Sequence, residues 1–293
     1  MLDHCPTPWL GARRGYFIDW LTQRWVQFTG RTVPLAETPW LDGPIGKSDR
    51  IGADYFEQMA RESGLALSVN APGSGLTADF RALDGSAFDT SRVNARVVDF
   101  YEHTSTYDLD VWSQWCGFFK PFGWLIAFLF SRRLQQLNLP IAPLDTSRGI
   151  TSQIVQLRDG DETRCTGWLR KRVQDENVIY CGIYSTFRVP NHPSPCVRVV
   201  FPLPNGSATV ILKPTALPDG SLELLSSGRR FGDPGFYFVV RRTADTVWTR
   251  YVRTMRERIH VYVDPAGDLR TDHTLTLWRM TFLKLHYRMR KRG

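Results

Sequence analysis

Residues 257–273 read ERIHVYVDPAGDLRTDH, and their reading decides the fold. Placing a loop at 264–268 sets Val263 opposite Leu269, Val261 opposite Thr271 and His260 opposite Asp272. Ile259, Val261 and Val263 then share one face while His260 and Tyr262 take the other, the period-two signature of an antiparallel hairpin. The pattern continues outward. HTLTLWRM (273–280) extends the second strand and FLKLHYR (282–288) reads as a third. Upstream, apolar or alternating runs occupy 150–157, 163–173, 178–188, 196–201, 207–213, 221–227 and 235–242. The turn signals RDGDE, QDEN, LPNGS, LPDGS and GDPG separate most of them. Between the last run and the hairpin, Trp248, Tyr251, Val252 and Met255 have 3–4 spacing behind Asp245 and Thr246, which predicts one inserted helix.

The first half has a different period. Tyr16, Phe17, Trp20, Leu21, Trp25 and Phe28 form an aromatic stripe at helical spacing that Gly30 ends. A second helix is expected from a Ser48 cap through Ile51, Tyr55, Phe56 and Met59 to Gly64, and a third from near Ser91 through Val97, Val98 and Tyr101. The sequence therefore predicts an α+β fold. N-terminal helices (1–148) pack on a C-terminal antiparallel β-meander or barrel of about ten strands (149–293), with one inserted helix, as one integrated unit.

The stretch FFKPFGWLIAFLFSRRLQQLNLP (118–140) carries one charge, Lys120, before Arg132 and Arg133. A helix over Gly123–Leu137 would be apolar nearly all round in its first half. Three readings follow: a core helix plugging the sheet, an interfacial helix with Trp124 and Phe128 in lipid, or a gate over a ligand pocket. The apolar run is shorter than the roughly 20 residues a spanning helix needs.

The 293 residues carry a formal net charge of +8, unevenly spread. Residues 1–148 hold 14 basic and 16 acidic side chains; residues 149–293 hold 23 and 13. Such a basic half fits an anionic membrane surface as partner, and less well nucleic acid, for which no aromatic recognition signature is present. Five scattered cysteines without a C-x-x-C pair predict buried thiols in a reducing compartment, and the N-terminus shows no secretory pattern. The expected setting is a cytoplasmic protein that associates with membranes. No nucleophile elbow, phosphate loop or H-E-x-x-H motif is present, and no metal or cofactor is expected. His260, His273 and His286 recur at intervals of thirteen, but nothing in that spacing makes their side chains converge.

Aromatic side chains on the expected strands and helices suit an apolar ligand. The candidate binding residues are Tyr101, Trp124, Phe128, Trp168, Tyr184, Tyr237 and Trp278. Two polar groupings suit acid–base work. In DFYEHTSTYDLD (99–110), Asp99, Glu102 and His103 share one side of a helix; in the hairpin, His260 faces Asp272. The leading expectation is a binder of a hydrophobic, lipid-like or aromatic small molecule at a membrane surface. One alternative is an isomerase, cyclase or hydrolase acting on such a ligand through Glu102, His103, His260 and Asp272. The other is a nucleic-acid or protein interaction module using the basic half.

Overall fold

The computed structural model describes residues 16–46, 51–117 and 149–292, together with Phe119, Pro121, Leu134 and Gln136. Strands dominate it. They are β1 (Arg31–Pro34), β2 (Ala66–Val69), β3 (Tyr107–Trp115), β4 (Ile150–Asp159), β5 (Glu162–Arg172), β6 (Val178–Phe187) and β7 (Cys196–Leu203). The series continues with β8 (Gly206–Ala216), β9 (Leu222–Ser226), β10 (Phe236–Arg241), β11 (Thr246–Tyr251), β12 (Met255–Val263), β13 (Leu269–Leu277) and β14 (Met280–Lys291). Three α-helices accompany them among the described residues: α1 (Phe17–Thr29), α2 (Tyr55–Ser63) and α3 (Ala95–Glu102).

All fourteen strands join one antiparallel sheet, in the order β2-β4-β5-β6-β7-β8-β9-β12-β13-β14-β3. The long strand β8 changes partner along its length. Its first half pairs with β10, which leads on to β11 and β1, and its second half pairs with β9. The sheet curls strongly: backbones of β3 and β4 approach to within 8 Å of one another. No ladder joins those two strands, so the sheet remains open.

This architecture corrects the expected one of helices on a barrel of about ten strands. The N-terminal half supplies three strands, not only helices. Strand β3 is YDLDVWSQW, with Tyr107, Leu109, Val111 and Ser113 buried and the intervening residues more exposed. Its period of two was hidden because its outer positions are acidic. The expected inserted helix is also absent. Val247 and Thr249 are buried in alternation along β11, and a turn at 252–254 leads into β12. Thr246, Val247 and Thr249 are β-branched and favour a pleated strand, so the 3–4 spacing of Trp248, Tyr251, Val252 and Met255 was coincidental.

The helices cover or close the sheet. On α2, Tyr55, Phe56 and Met59 bury against Val155, Leu157, Leu169 and Ile183 on the outer face of β4–β6. A Cβ on Gly167 would lie 2.0 Å from the Phe56 ring, so glycine there is what lets α2 approach. Gly64 ends α2 in the left-handed conformation at φ +68°, satisfying carbonyls of the last turn. Asn94 caps α3 by accepting from the Arg96 amide at 2.9 Å. α3 places Phe100 and Tyr101 inside the curl, where the largest buried cluster gathers residues of both halves.

The charge asymmetry of the chain has a structural outlet. In the β14–β3 ladder, Arg290 pairs with Asp110 at 2.9 Å; alongside it Arg292 pairs with Asp108 and Lys291 with Asp99, both at 2.8 Å. The basic tail is thus laid on the acidic strand rather than left as a bare cationic arm. Cys165 is disulfide-bonded, while Cys116, Cys181 and Cys196 are free. That corrects the expectation of five thiols and removes the cysteine argument for a reducing compartment.

Candidate functional site: an aromatic cavity with a buried cationic end

The inner face of the curled sheet surrounds a cavity of about 520 Å³. The pleat decides what lines it. On β5 it is Trp168 and Arg170, on β6 Tyr180 and Tyr184, and on β12 Glu257, Ile259 and Val261. On β13 Thr271, His273, Leu275 and Leu277 face inward, and on β14 Leu285, Tyr287 and Met289. Gly182 lies between the two tyrosines of β6; a Cβ there would stand 3.1 Å from the Phe201 ring. Glycine therefore keeps this wall open between two large rings. Val199, Val210, Leu212, Leu224, Phe236 and Phe238 make much of the remainder apolar. The residues α1 adds to the wall include Asp19, Gln23 and Trp25, and the Trp25 ring meets Phe238 edge-on at 5.8 Å.

Against this apolar lining stands Arg170, only 4% exposed. Its guanidinium carbon lies 3.6 Å from the Trp168 ring centre, 5.1 Å from that of Tyr180 and 5.0 Å from that of Tyr287. Six strands separate β5 from β14 in the hydrogen-bonded order, so the Arg170–Tyr287 contact spans the curl. The Arg170 Nε is buried without a hydrogen-bond partner. The Tyr287 phenol is near enough to hydrogen-bond the guanidinium, and among the described residues no carboxylate pairs with it within 4.0 Å. Ring faces attract a desolvated cation by about 2 kcal/mol, which offsets only part of the cost of burying a charge.

A second polar element is His273, whose Nε2 lies 2.5 Å from Glu257 Oε1, with side chains 14% and 13% exposed. The His273 ring also lies parallel to that of Tyr287 at 6.4 Å. Burial pushes the phenols of Tyr101, Tyr180, Tyr184 and Tyr287 up, so all four are protonated donors at neutral pH. Among the described residues no group of three or more His, Cys, Asp or Glu is placed to hold a metal ion.

The expected site residues fall in different places. Tyr101, Trp168 and Tyr184 line the cavity. Tyr237 does not: it is buried in a separate cluster with Trp40 and Ile211, its hydroxyl donating to the Asp233 carbonyl at 2.6 Å. Trp278 is 62% exposed at a hairpin tip, where it and Arg279 both have positive φ (50° and 69°). It faces solvent because HTLTLWRM is not one continuous strand; Trp278–Arg279 is the two-residue loop between β13 and β14. Trp124 and Phe128 lie outside the described residues, as does the helix expected over Gly123–Leu137 apart from Leu134 and Gln136.

Glu102 and His103 are not cavity residues. Glu102 Oε1 accepts from the Phe80 amide at 2.8 Å, and His103 Nδ1 lies 3.1 Å from Asp99 at a partly exposed position. Glu102 therefore holds a turn, and His103 joins the Asp99 surface cluster. His260 and Asp272 are register partners on the outer face, but their side chains bond elsewhere. His260 Nε2 lies 2.9 Å from Ser221 Oγ and Asp272 Oδ1 lies 2.7 Å from His286 Nδ1. The cavity's own polar residues, Arg170, Glu257 and His273, were missed. The signal for two of them was present: Glu257 and His273 are odd-numbered, on the same face of the hairpin as Ile259 and Val261.

Comparison with known proteins adds one relative. Over 246 residues the chain is 29% identical to a Bacillus subtilis (strain 168) protein named "Uncharacterized membrane protein YndJ", a match covering 81% of this chain and 41% of that protein. The chain thus spans about two-fifths of the length of the curated relative it matches. No helix of the described residues is long and apolar enough to cross a membrane. No family model matches the chain, and no solved structure matches it.

Proposed function

We propose that this protein binds a hydrophobic, lipid-like or aromatic small molecule inside its curled sheet and does so at a membrane surface. The observation that carries this reading is the roughly 520 Å³ cavity walled by aromatic and branched side chains, within the size range of small-molecule sites. An apolar cavity of that size forgoes packing that would otherwise stabilise the fold, which favours a ligand as its occupant.

The membrane part rests on α1. Its aromatic stripe points outward: Phe17 is 73% exposed and Phe28 81%, with Trp20, Leu21 and Trp25 also exposed. Asp19 and Val26 face inward instead. Exposed Arg24, Arg31 and Arg250 lie on the helix or at its C-terminal end. An aromatic face rimmed by arginines suits an anionic bilayer, with rings in the headgroup boundary and guanidinium groups on phosphates. The name of the Bacillus subtilis relative is compatible with this placement.

Native mass spectrometry of protein purified without detergent tests the binding reading. One small apolar molecule retained per chain and released on unfolding is the expected result; an unliganded mass that takes up no apolar probe would sink it. A second reading, an enzyme acting on the same ligand, rests on the His273–Glu257 pair in the cavity wall. It requires wild-type protein and Glu257→Gln to carry chemically different retained molecules. Identical molecules in both leave binding alone.

A further inference from the structure

We propose that the cavity takes an anionic amphiphile: an apolar body ending in a carboxylate or phosphate, its oxyanion seated on Arg170. The inference rests on the binding reading above and names the class of ligand.

Three observations converge. First, Arg170 is a buried cation that lines the cavity with an unpartnered Nε and no carboxylate partner within 4.0 Å among the described residues. A buried charge left this way is costly, and an oxyanion would restore a bidentate, charge-assisted pair. Second, the guanidinium is bracketed by the Tyr180 and Tyr287 rings, and Tyr184 is within its electrostatic reach. Tyr180 donates to Tyr184, which leaves the Tyr184 and Tyr287 hydroxyls as neutral donors suited to the remaining oxygen lone pairs of such a head. Third, neither carboxylate of the wall pairs with Arg170, although the Glu257 charge reaches Tyr184 and Tyr287. Glu257 is 2.5 Å from His273, and Asp19 belongs to α1, whose main strand contacts are with β1, β10 and β11. The rest of the lining is largely hydrocarbon, so the ligand has one charged head and an apolar remainder.

The test is displacement of bound Nile red, an uncharged apolar fluorophore, by dodecanoate, dodecyl phosphate and 1-dodecanol. Wild-type protein should bind at least one of the two anions about tenfold or more tightly than the alcohol, and whichever anion is preferred identifies the head. In Arg170→Met the three should fall within about twofold of one another, the anions having lost their advantage over the alcohol. A wild-type protein that binds dodecanol as tightly as both anions overturns the inference, as does a preference that survives in Arg170→Met. Should Arg170→Met not fold, the wild-type preference is measured against salt. A buried pair keeps it at high ionic strength, whereas its disappearance would assign it to surface attraction and overturn the inference. If neither Nile red nor dodecanol binds, the cavity-binding reading itself fails. If dodecanol binds and the anions bind no better, only the anionic head is wrong.

Discussion

Two sets of aromatic residues in this protein have opposite fates. Phe100, Trp168, Tyr180 and Phe236 turn inward and are buried around the cavity; Phe17, Trp20 and Phe28 of α1 turn outward into solvent. Composition does not separate them, since both sets are rings at regular spacing. Their neighbours do. The buried rings form edge-to-face contacts, as between Trp168 and Tyr180 at 6.0 Å and between Phe100 of α3 and Trp168 at 6.4 Å. Among the described residues Phe17 and Trp20 stack on each other at 5.6 Å and the Arg24 guanidinium lies 5.4 Å from the Trp20 ring centre, while Trp25 alone of the α1 rings reaches a strand ring, Phe238. An aromatic stripe therefore marks a helix face but not the medium it faces.

The largest expected effect separates the two sets by function. Replacing Phe17, Leu21 and Phe28 together by Ser should leave the fold intact. It should weaken binding to phosphatidylglycerol-containing vesicles by at least about 100-fold, because each side chain contributes roughly 1.5–3 kcal/mol when buried in lipid. Vesicle co-sedimentation checks this, and undiminished binding removes α1 from the account. Next in size is a matched pair measured by urea unfolding. Trp168→Ala should cost about 3–5 kcal/mol, with loss of the Ser152 hydrogen bond (2.7 Å) and of the ring beneath Arg170. Trp20→Ala should change stability by no more than about 0.5 kcal/mol. Equal costs would break the comparison.

A third exposed ring sharpens it. Trp278 and Arg279 hold left-handed conformations in a two-residue hairpin loop, where Asn–Gly is the unstrained choice. The double replacement by Asn–Gly should raise stability by about 1 kcal/mol. A loss of stability in thermal unfolding would mean that the Trp278 ring is held by contacts its exposure does not reveal.

The smallest effect concerns charge. Burial pushes the Asp99 carboxyl up, but hydrogen bonds from Lys291 and Tyr107 and the nearby His103 outweigh it, so its pKa ends below the ordinary value. A depressed carboxylate stabilises the fold above its unfolded pKa of roughly 4, and that contribution is lost as pH falls through the folded value. Asp99→Asn should therefore cost up to about 1 kcal/mol at neutral pH, discounted for solvent screening. The gap should close below about pH 4. A pH-independent gap would assign the effect to packing.

Much of the β-rich half was legible because turn chemistry and period two agree there. Loop placement at 264–268 alone sets the register that brings Val261 opposite Thr271 and His260 opposite Asp272. Legibility failed where two demands share one segment. In β3 the outer face answers to the basic tail of β14, so acidic residues masked a strand. In β6 both faces are buried, one by α2 and one by the cavity, so alternation is weak. The site was harder still. Arg170 arises in the run WLRKR, and nothing local tells which of its charges turns inward; that follows only from a curl bringing β5 to β14. The outer histidines stand out because they face carboxylates in sequence, while His273 pairs diagonally with Glu257 on the apolar face.

The central claim is that the curled sheet encloses a ligand site rather than an accidental void. Nile red titration of the wild-type protein against the double variant Val199→Phe/Leu224→Phe tests it most directly, since both side chains line the cavity. The account expects saturable binding of one dye per wild-type chain. It expects a folded double variant, its cavity partly filled, to bind at least about tenfold more weakly, a loss of roughly 1.4 kcal/mol. Equal dye binding by both proteins would place the apolar site elsewhere and contradict it.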